Sequence, residues 1–170
     1  MLLILAMVIR TMQLHDWNSV SEIYAEGLAT GYATFESTVP PYSHWDKTHI
    51  KECRLVAENH KTVVGWAALS AVSNRPVYRG VAEVSIYISA KYRGQGVGKA
   101  LMQQLTLASQ KAGYWTLQSG IFPENEASIA LHKKMGFRFV GKRELVGRTV
   151  DGIWKDNLLF ERRSKRIGIH

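Results

Sequence analysis

The sequence predicts a mixed α/β (α+β) domain with a twisted central sheet of about seven strands flanked by helices. Stretches of alternating polarity recur along the 170 residues, stretches of helical periodicity separate them, and no internal repeat or low-complexity linker divides the chain. A domain of this size buries roughly 70% of the surface that its unfolded chain exposes, so one full core is expected. We therefore expect residues 1–170 to form a single domain.

Helices are predicted where apolar residues recur at intervals of three and four. Asp16 is a candidate N-cap for the first helix. Gly113 and Gly136 follow two other helices in the position where a left-handed residue ends a helix. The predicted helices cover residues 17 to 27 or 31, 45–53, 97–112 and 125–135.

Strands are predicted where polarity alternates or where short apolar runs stand between turn residues. In the run 81–88 the alternation is regular, so Glu83 and Val84 lie on opposite faces and one face is free for chemistry. Turn signals at 59–61 and 151–152 predict two hairpins. The predicted strands cover 8–10, 54–58, 62–71, 81–88, 115–121, 137–140 and 154–160, and the predicted loops cover 32–41 and 74–76.

The two ends of the chain differ in composition. The apolar start is too short to span a bilayer and has no basic flank, so neither a membrane anchor nor a signal peptide is predicted. Residues 1–6 are a candidate N-terminal extension, with Met7 as the alternative start. Residues 162–170 form a basic tail that we expect to fray.

The formal net charge of +8 favours a polyanionic ligand but does not by itself indicate nucleic acid. The tail carries much of this charge, no nucleic-acid motif is present, and basic residues do not alternate with aromatic ones. Cys53 is the single cysteine, which excludes an intramolecular disulfide, and no Cys/His pattern has zinc spacing. We expect a cytoplasmic protein with no metal, nucleic-acid partner or membrane partner.

The run Arg93-Gly94-Gln95-Gly96-Val97-Gly98 follows a predicted strand and opens a predicted helix. Glycines allow a ligand to approach the backbone closely and tolerate positive φ. The first amides of a helix attract anions because they lack intrahelical partners. A pyrophosphate cradle is one interpretation of this run, and a glycine-rich turn without a ligand is the other.

The pattern Arg93-x-x-Gly96-x-Gly98 resembles the acetyl-CoA motif of the GNAT family of N-acetyltransferases. A second signature of that family is similar to Asn125-x-x-Ser128-x-x-Leu131-His132-Lys133-Lys134-Met135-Gly136-Phe137. Residues 33–36 and 82–88 resemble the phosphinothricin and methionine sulfoximine (methionine sulfone) N-acetyltransferase branch. The resemblance implies the GNAT fold, in which two central strands splay apart where Ile88 meets the glycine run and leave a V-shaped cofactor slot.

The resemblance implies that acetyl-CoA is the cosubstrate. Peptide amides of the glycine run would hold its pyrophosphate, and the strand before this run would pair with the pantetheine arm. Asn125 would bind the cofactor or would only cap its helix. The implied cofactor-binding residues are Ile86, Tyr87, Ile88, Arg93, Gly94, Gln95, Gly96, Val97, Gly98, Lys99 and Asn125.

Glu83 is the candidate general base, because the acceptor amine must lose a proton when it attacks the thioester. Its alternative roles are an ordinary exposed carboxylate or a partner of Arg75 or Arg79. His132 stands where many family members carry a tyrosine assigned to protonation of the leaving thiolate. Because histidine donates protons near neutral pH, His132 is a candidate general acid, and packing is its alternative role.

The resemblance also points to a substrate-binding set. Arg75 would bind a carboxylate or phosphinate through two hydrogen bonds, or would be an ordinary exposed loop residue. Val77 departs from the aromatic residue that relatives carry there, which leaves the identity of the acceptor open. The implied substrate-binding residues are Phe35, Arg75, Pro76, Val77, Glu83, Val84 and Ser85.

The predicted function is acetyl-CoA-dependent N-acetylation of a small amino-acid-like amine, such as phosphinothricin, methionine sulfoximine or methionine sulfone. The amine would attack the thioester directly, and a strand amide near Ile88 would hold the oxyanion. No triad-like spacing supports a serine nucleophile. The alternatives are acetylation of a protein or peptide amine and a non-catalytic acyl-CoA sensor. The resemblance further implies a homodimer.

Overall fold

The computed structural model describes residues 7–170, and the candidate extension at residues 1–6 lies outside the described part. Seven strands form one sheet in the spatial order β1-β2-β3-β4-β5-β7-β6. They are β1 (Met7–Thr11), β2 (His49–Asn59), β3 (Thr62–Ala71), β4 (Val81–Ile88), β5 (Thr116–Ile121), β6 (Arg138–Arg148) and β7 (Trp154–Arg163). The predicted α/β class and its mixed sheet of seven strands are confirmed.

The helices within residues 7–170 cover both faces of this sheet. They are α1 (Trp17–Ala29), α2 (Tyr42–Thr48), α3 (Val97–Lys111) and α4 (Glu126–Lys134). Leu55 of β2 joins the buried cluster that includes Leu101 of α3, and its neighbour Val56 joins the cluster that includes Val20 of α1. Successive residues of a strand point to opposite faces, so β2 supplies both cores. None of these helices is long and apolar enough to cross a membrane.

The direction of the strands changes at the centre of the sheet. β4 and β5 are parallel and are connected through α3, whereas the five other neighbouring pairs are antiparallel. β7 lies between β5 and β6 although it follows β6 in the chain. The parallel pair therefore stands at the middle of the sheet, with three strands on one side and two on the other.

The predicted helix at 45–53 is correct only as far as Thr48. From His49 the chain is extended, with φ −110° and ψ 143°, and His49 pairs with Ser70 of β3. Trp45 and Cys53 are both fully buried, and their separation in the sequence fits the period of one helix. Trp45 lies on α2, however, and Cys53 lies on β2. No loop separates the two elements, so local periodicity could not detect the boundary.

The last two strands are longer than predicted. β6 continues from 140 to Arg148 through a bulge in which Leu145 has φ +44°. The amide of Leu145 donates to Asp156 Oδ1 at 2.8 Å, which fixes this bulge through a side chain of the neighbouring strand. The segment was not predicted to be a strand because most of its residues are exposed and are polar or glycine, which gives no apolar alternation.

The first residues of the tail that was predicted to fray belong to the last strand. Arg162 and Arg163 belong to β7, and Ser164 is buried. The guanidinium of Arg163 donates to the carbonyl oxygens of Ile167 and Gly168 and folds the chain end back onto the strand.

Asp16 precedes α1 as predicted, but its side chain does not cap that helix. Both carboxylate oxygens accept hydrogen bonds from Arg10 at 2.8 Å, and one accepts from the amide of Gln13 at 2.7 Å. The hydrogen bond from Arg10 holds the pKa of Asp16 below its usual range, although burial opposes this shift. Asp16 therefore ties β1 to α1 through an ion pair.

Candidate active site

β4 and β5 separate into a V-shaped slot at the centre of the sheet. Their pairing is confined to three positions and ends with Glu83 opposite Gln118. Beyond this point β4 remains paired with β3 as far as Ile88, and β5 remains paired with β7 as far as Ile121. The predicted splay is present, but it begins directly after Glu83, well before Ile88.

One edge of β4 faces this slot without a partner strand. The carbonyl of Gly80 accepts a hydrogen bond from Thr116 on the β5 side, whereas the carbonyl of Val81 accepts one from Val72 on the β3 side. Because peptide orientation alternates along a strand, every second residue after Gly80 directs its backbone groups into the slot. Tyr87, one of the predicted pantetheine-binding residues, directs its backbone carbonyl toward β3 and not into the slot. The slot-facing residues are Val84, Ile86 and Ile88.

The glycine run forms the turn between β4 and α3. Gly94 has φ +74°, and Gly96, the N-cap of α3, has φ +85°. A side chain at either position would meet open space, so their positive φ, rather than crowding, accounts for glycine. At Gly98 a Cβ would lie 3.0 Å from Leu131, which shows how closely α3 and α4 approach. The first amides of α3 are thus presented at the end of the slot.

Two side chains hold the start of this turn. Glu26 of α1 accepts a hydrogen bond from the amide of Ala90 at 2.6 Å. Arg93 Nε donates to the carbonyl of Ile88 at 3.2 Å, so one of the slot-facing carbonyls already has a donor. α1, β4 and the glycine run therefore form one connected support.

A cavity of about 440 Å³ opens beside the slot on the face of the sheet that carries α1 and α2. It contains predicted members of both the catalytic and the binding sets, from the loop before α2, from β4 and from α4 with its N-cap. Those members are Phe35, Glu83, Val84, Ser85, Ile86, Tyr87, Asn125 and His132. The structure thus brings the predicted base, the predicted acid and part of the predicted pantetheine edge around one space.

Glu83 stands at the point where the slot opens, and its side chain is exposed. Gln118 Nε2 donates a hydrogen bond to Glu83 Oε2 at 3.1 Å. The alternative partners lie elsewhere, since Arg75 stacks over Tyr78 and Arg79 stacks over Trp115. The carboxylate of Glu83 is therefore available to the cavity rather than bound in an ion pair with either arginine.

The predicted substrate contacts at 75–77 do not line this cavity. The guanidinium of Arg75 lies 5.3 Å from the ring of Tyr78, in a short 3₁₀ turn formed by Pro76–Tyr78. The side chain of Val77 is 61% exposed. A local cation–π contact therefore directs Arg75 along the surface, as in its alternative role as an exposed loop residue.

His132 is buried in the wall of the cavity, with 1% of its surface exposed. Its Nδ1 lies 2.7 Å from the carbonyl oxygen of Ser128, and its Nε2 has no hydrogen-bond partner among the described residues. Burial lowers the pKa of His132, against the opposing effect of the Ser128 carbonyl. The ring is neutral at neutral pH, and since Nδ1 donates to the carbonyl, Nε2 carries a lone pair. This state is unsuited to the predicted general-acid role.

Asn125 performs the capping role that the sequence left open. Its Oδ1 accepts a hydrogen bond from the amide of Ser128 at 3.2 Å at the start of α4. The residue also lines the cavity, so its side-chain amide group can still donate to a ligand.

The loop before α2 closes one side of the cavity. The ring of Phe35 packs edge-on against Phe122 at 4.5 Å between ring centroids. A Cβ on Gly147 would lie 2.7 Å from Phe35, so the absence of a side chain at Gly147 makes room for this ring. Nearby, the rings of Tyr24 and Tyr87 pack at 4.8 Å between ring centroids.

Arg143 and Asn157 are cavity residues that the sequence did not indicate. They lie opposite each other on β6 and β7, and Arg143 Nη2 donates to Asn157 Oδ1 at 2.7 Å. Arg143 lies in a stretch that has no motif and was not predicted to be a strand. The place of Arg143 in the cavity follows only from the order of the strands in the sheet.

Comparison with known proteins places these features in one family. Residues 16–137 match the model of the Acetyltransferase (GNAT) family. Phosphinothricin N-acetyltransferase from Alcaligenes faecalis is 33% identical over 169 residues, which cover 92% of this chain and 82% of that protein. L-methionine sulfoximine/L-methionine sulfone acetyltransferase from Salmonella typhimurium is 30% identical over 102 residues, which cover 60% of this chain and 59% of that protein.

Solved structures share the architecture over almost the whole chain. A GNAT superfamily phosphinothricin acetyltransferase from Sinorhizobium meliloti, in complex with AcCoA, superposes with a TM-score of 0.86 at 30% identity, covering 98% of this chain and 92% of that one. Ribosomal-protein-alanine N-acetyltransferase from Brucella melitensis superposes with a TM-score of 0.84 at 28% identity, covering 92% and 99%.

Proposed function

Because this chain belongs to the GNAT family of acetyltransferases, we propose that it transfers the acetyl group of acetyl-CoA to the amine of a small amino-acid-like substrate. The observation that carries the proposal is the slot between β4 and β5, where unpaired strand groups lead directly into the glycine turn. This arrangement suits a ligand with an amide-containing arm and a pyrophosphate.

The residues of the slot fit acetyl-CoA. Backbone groups of Val84 and Ile86 would pair with the pantetheine amides, while Arg93 holds the Ile88 carbonyl. Amides of residues 94–99 would bind the pyrophosphate at the positive end of α3. Asn125 would add a hydrogen bond through its side-chain amide. The Ile88 amide would stabilise the negative charge that develops on the thioester oxygen.

Glu83 would receive the proton of the acceptor amine, directly or through a water molecule. In the transfer, a bond forms between the amine nitrogen and the acetyl carbon, the carbon–sulfur bond breaks, and the thiol form of CoA leaves. Gln118 orients the carboxylate toward the opening of the slot. The proposed transfer needs no metal and no covalent enzyme intermediate.

His132 would act as a neutral hydrogen-bond acceptor through Nε2. The carbonyl of Ser128 fixes its tautomer, and its Nε2 is buried without a hydrogen-bond partner among the described residues. This role replaces the general acid expected from the sequence. The leaving thiolate would then take its proton from water or from the proton that the amine releases.

A second candidate function is acetylation of a protein N-terminus. The likeness to the ribosomal-protein-alanine N-acetyltransferase favours it, since the two chains share the fold over most of their length. Against it, the loop carrying Phe35 closes one side of the cavity, which suits a small acceptor better than a polypeptide.

We also propose that the enzyme is a cytoplasmic homodimer. The hairpin of β6 and β7 lies at the edge of the sheet and carries exposed apolar side chains that water does not favour. They include Leu145, Val146, Val150, Ile153 and Trp154. A second copy would cover this surface.

A thiol-release assay tests the proposed function. The full chain is mixed with acetyl-CoA and, separately, with methionine sulfone, phosphinothricin, an aminoglycoside or a peptide that begins with alanine. We expect thiol release above the hydrolysis blank with at least one of the two amino-acid-like amines. Release with the peptide alone would support the second candidate. If acetyl-CoA binds by calorimetry but no amine reacts, the non-catalytic sensor would be favoured.

A further inference from the structure

We propose that Arg143 binds the α-carboxylate of the acceptor and that Asn157 positions its guanidinium. This inference rests on the proposed function, because it names the part of the substrate that the cavity recognises. It replaces Arg75, whose side chain lies outside the cavity, as the anion-binding residue.

The position of Arg143 follows from three neighbouring strands. Asn157 of β7 is 5% exposed and lies beside β5, where a Cβ on Gly120 would be only 2.6 Å from Asn157 Oδ1. The missing side chain of Gly120 therefore admits Asn157 to the wall of the slot. Since Asn157 Oδ1 accepts from Arg143 Nη2 at 2.7 Å, the guanidinium is held one side chain away from β5.

Arg143 retains donors for a ligand. A guanidinium has five N–H donors in a planar fork, and the structure gives Arg143 one side-chain hydrogen bond within residues 7–170. An arginine with free donors beside a fixed partner suits a planar carboxylate. Because Arg143 lies on an exposed strand, its replacement is not expected to disturb the core.

The charges around the cavity favour this assignment. Among the cavity-lining residues that the structure describes, Arg143 is the one arginine or lysine, whereas Glu36 and Glu83 are acidic. His49 also lines the cavity, but burial lowers its pKa, so it adds little positive charge at neutral pH. A zwitterionic amino acid would place its carboxylate at Arg143 and its amine toward the acidic side and the slot.

One fixed positive charge also limits the acceptor. Methionine sulfone has one carboxylate and an uncharged side chain, so binding at Arg143 leaves none of its anionic groups unpaired. Phosphinothricin brings in addition a phosphinate, for which the cavity has no second arginine or lysine among the described residues. We expect a higher kcat/KM with methionine sulfone than with phosphinothricin. The reverse order would contradict this charge assignment.

The test compares Arg143→Gln with Lys142→Gln, which removes the same charge from the adjacent residue on the opposite face of β6. We expect Arg143→Gln to raise the KM for methionine sulfone by about 10- to 100-fold, as expected for lost hydrogen bonds between charged groups. The Kd of acetyl-CoA, measured by calorimetry, should stay unchanged. Lys142→Gln should change neither value.

The decarboxylated amine of methionine sulfone separates carboxylate binding from a general structural effect. It should be a poor substrate that wild type and Arg143→Gln use equally. A KM for methionine sulfone within twofold of wild type in Arg143→Gln, or an equal loss with both amines, would overturn the proposal.

The proposed function and this inference can fail separately. If the wild-type protein acetylates no amine, calorimetric binding of methionine sulfone still tests Arg143. Binding to wild type that Arg143→Gln abolishes would support the carboxylate site while the proposed function fails. No binding to wild type, or equal binding to both proteins, would overturn the site.

Discussion

Gln118 donates a hydrogen bond to Glu83 at the last position where β4 and β5 are paired. The contact joins the end of the parallel pairing to the start of the slot. It leaves the carboxylate exposed on the cavity side and limits its orientation. A proton acceptor thus stands where an amine entering from the cavity would meet a thioester held along β4.

Glu83→Gln is expected to lower kcat by about 10²- to 10⁴-fold, because the substituted amide cannot accept the proton of the amine. The Kd of acetyl-CoA, measured by calorimetry, should remain unchanged, since Glu83 lies outside the proposed cofactor contacts. Glu52→Gln, an exposed carboxylate of β2, is the control and should retain full turnover. Unchanged kcat in Glu83→Gln would remove this residue from the mechanism.

Glu26→Ala is expected to raise the KM for acetyl-CoA by about five- to tenfold with little change in kcat. The substitution removes the acceptor of the Ala90 amide, an exposed hydrogen bond that contributes about 1–1.5 kcal/mol. Glu26→Gln keeps an oxygen acceptor and should recover most of the loss. Glu22→Ala, an exposed position on the same helix, is the matched control. Equal changes in the KM for acetyl-CoA in Glu26→Ala and Glu22→Ala would show that the loss comes from a change in α1 and not from the lost hydrogen bond to Ala90.

The free energy of unfolding should fall as the pH drops below about 6.5. Burial lowers the pKa of both His49 and His132, so the unfolded chain binds protons in this range that the folded chain does not. The contribution is constant above the unfolded pKa and is lost toward acid pH.

Urea unfolding at pH 7.5, 6.5 and 5.5, values chosen to bracket the reference histidine pKa of about 6.5, measures this effect. His132→Gln should show a shallower decline than wild type, and His170→Gln, at the exposed chain end, should follow wild type. A decline of equal slope in wild type and His132→Gln would show that His132 is not the group responsible.

Local sequence was sufficient to predict the glycine turn. Gly94 and Gly96 both have positive φ and face open space, so the requirement for glycine is set by the backbone alone. The same is true of Asn125, whose capping bond depends only on the first turn of α4. Features of this kind are encoded within a few residues and can be recognised without the fold.

The acceptor side of the cavity could not be predicted in the same way. This side is formed by three strands that bring together Arg143, Asn157 and Gly120. They meet because β7 lies between β5 and β6, and this spatial arrangement does not follow from the sequence of elements along the chain. Arg75 shows the converse: the resemblance implies an anion contact, and the structure places the guanidinium over the ring of Tyr78, outside the cavity. The boundary at His49 was not predicted for a third reason. Buried residues of a helix and of the strand that follows it have together the spacing of a single helix.

The most direct test of the proposed function is the fate of a labelled acetyl group. The full chain is incubated with acetyl-CoA labelled in the acetyl group and with methionine sulfone, and the products are identified by mass spectrometry while free thiol is counted. We predict N-acetylmethionine sulfone with the label on the α-nitrogen and one thiol released for each product formed. Labelled acetate with no N-acetyl product, or no thiol release while acetyl-CoA is bound, would contradict it.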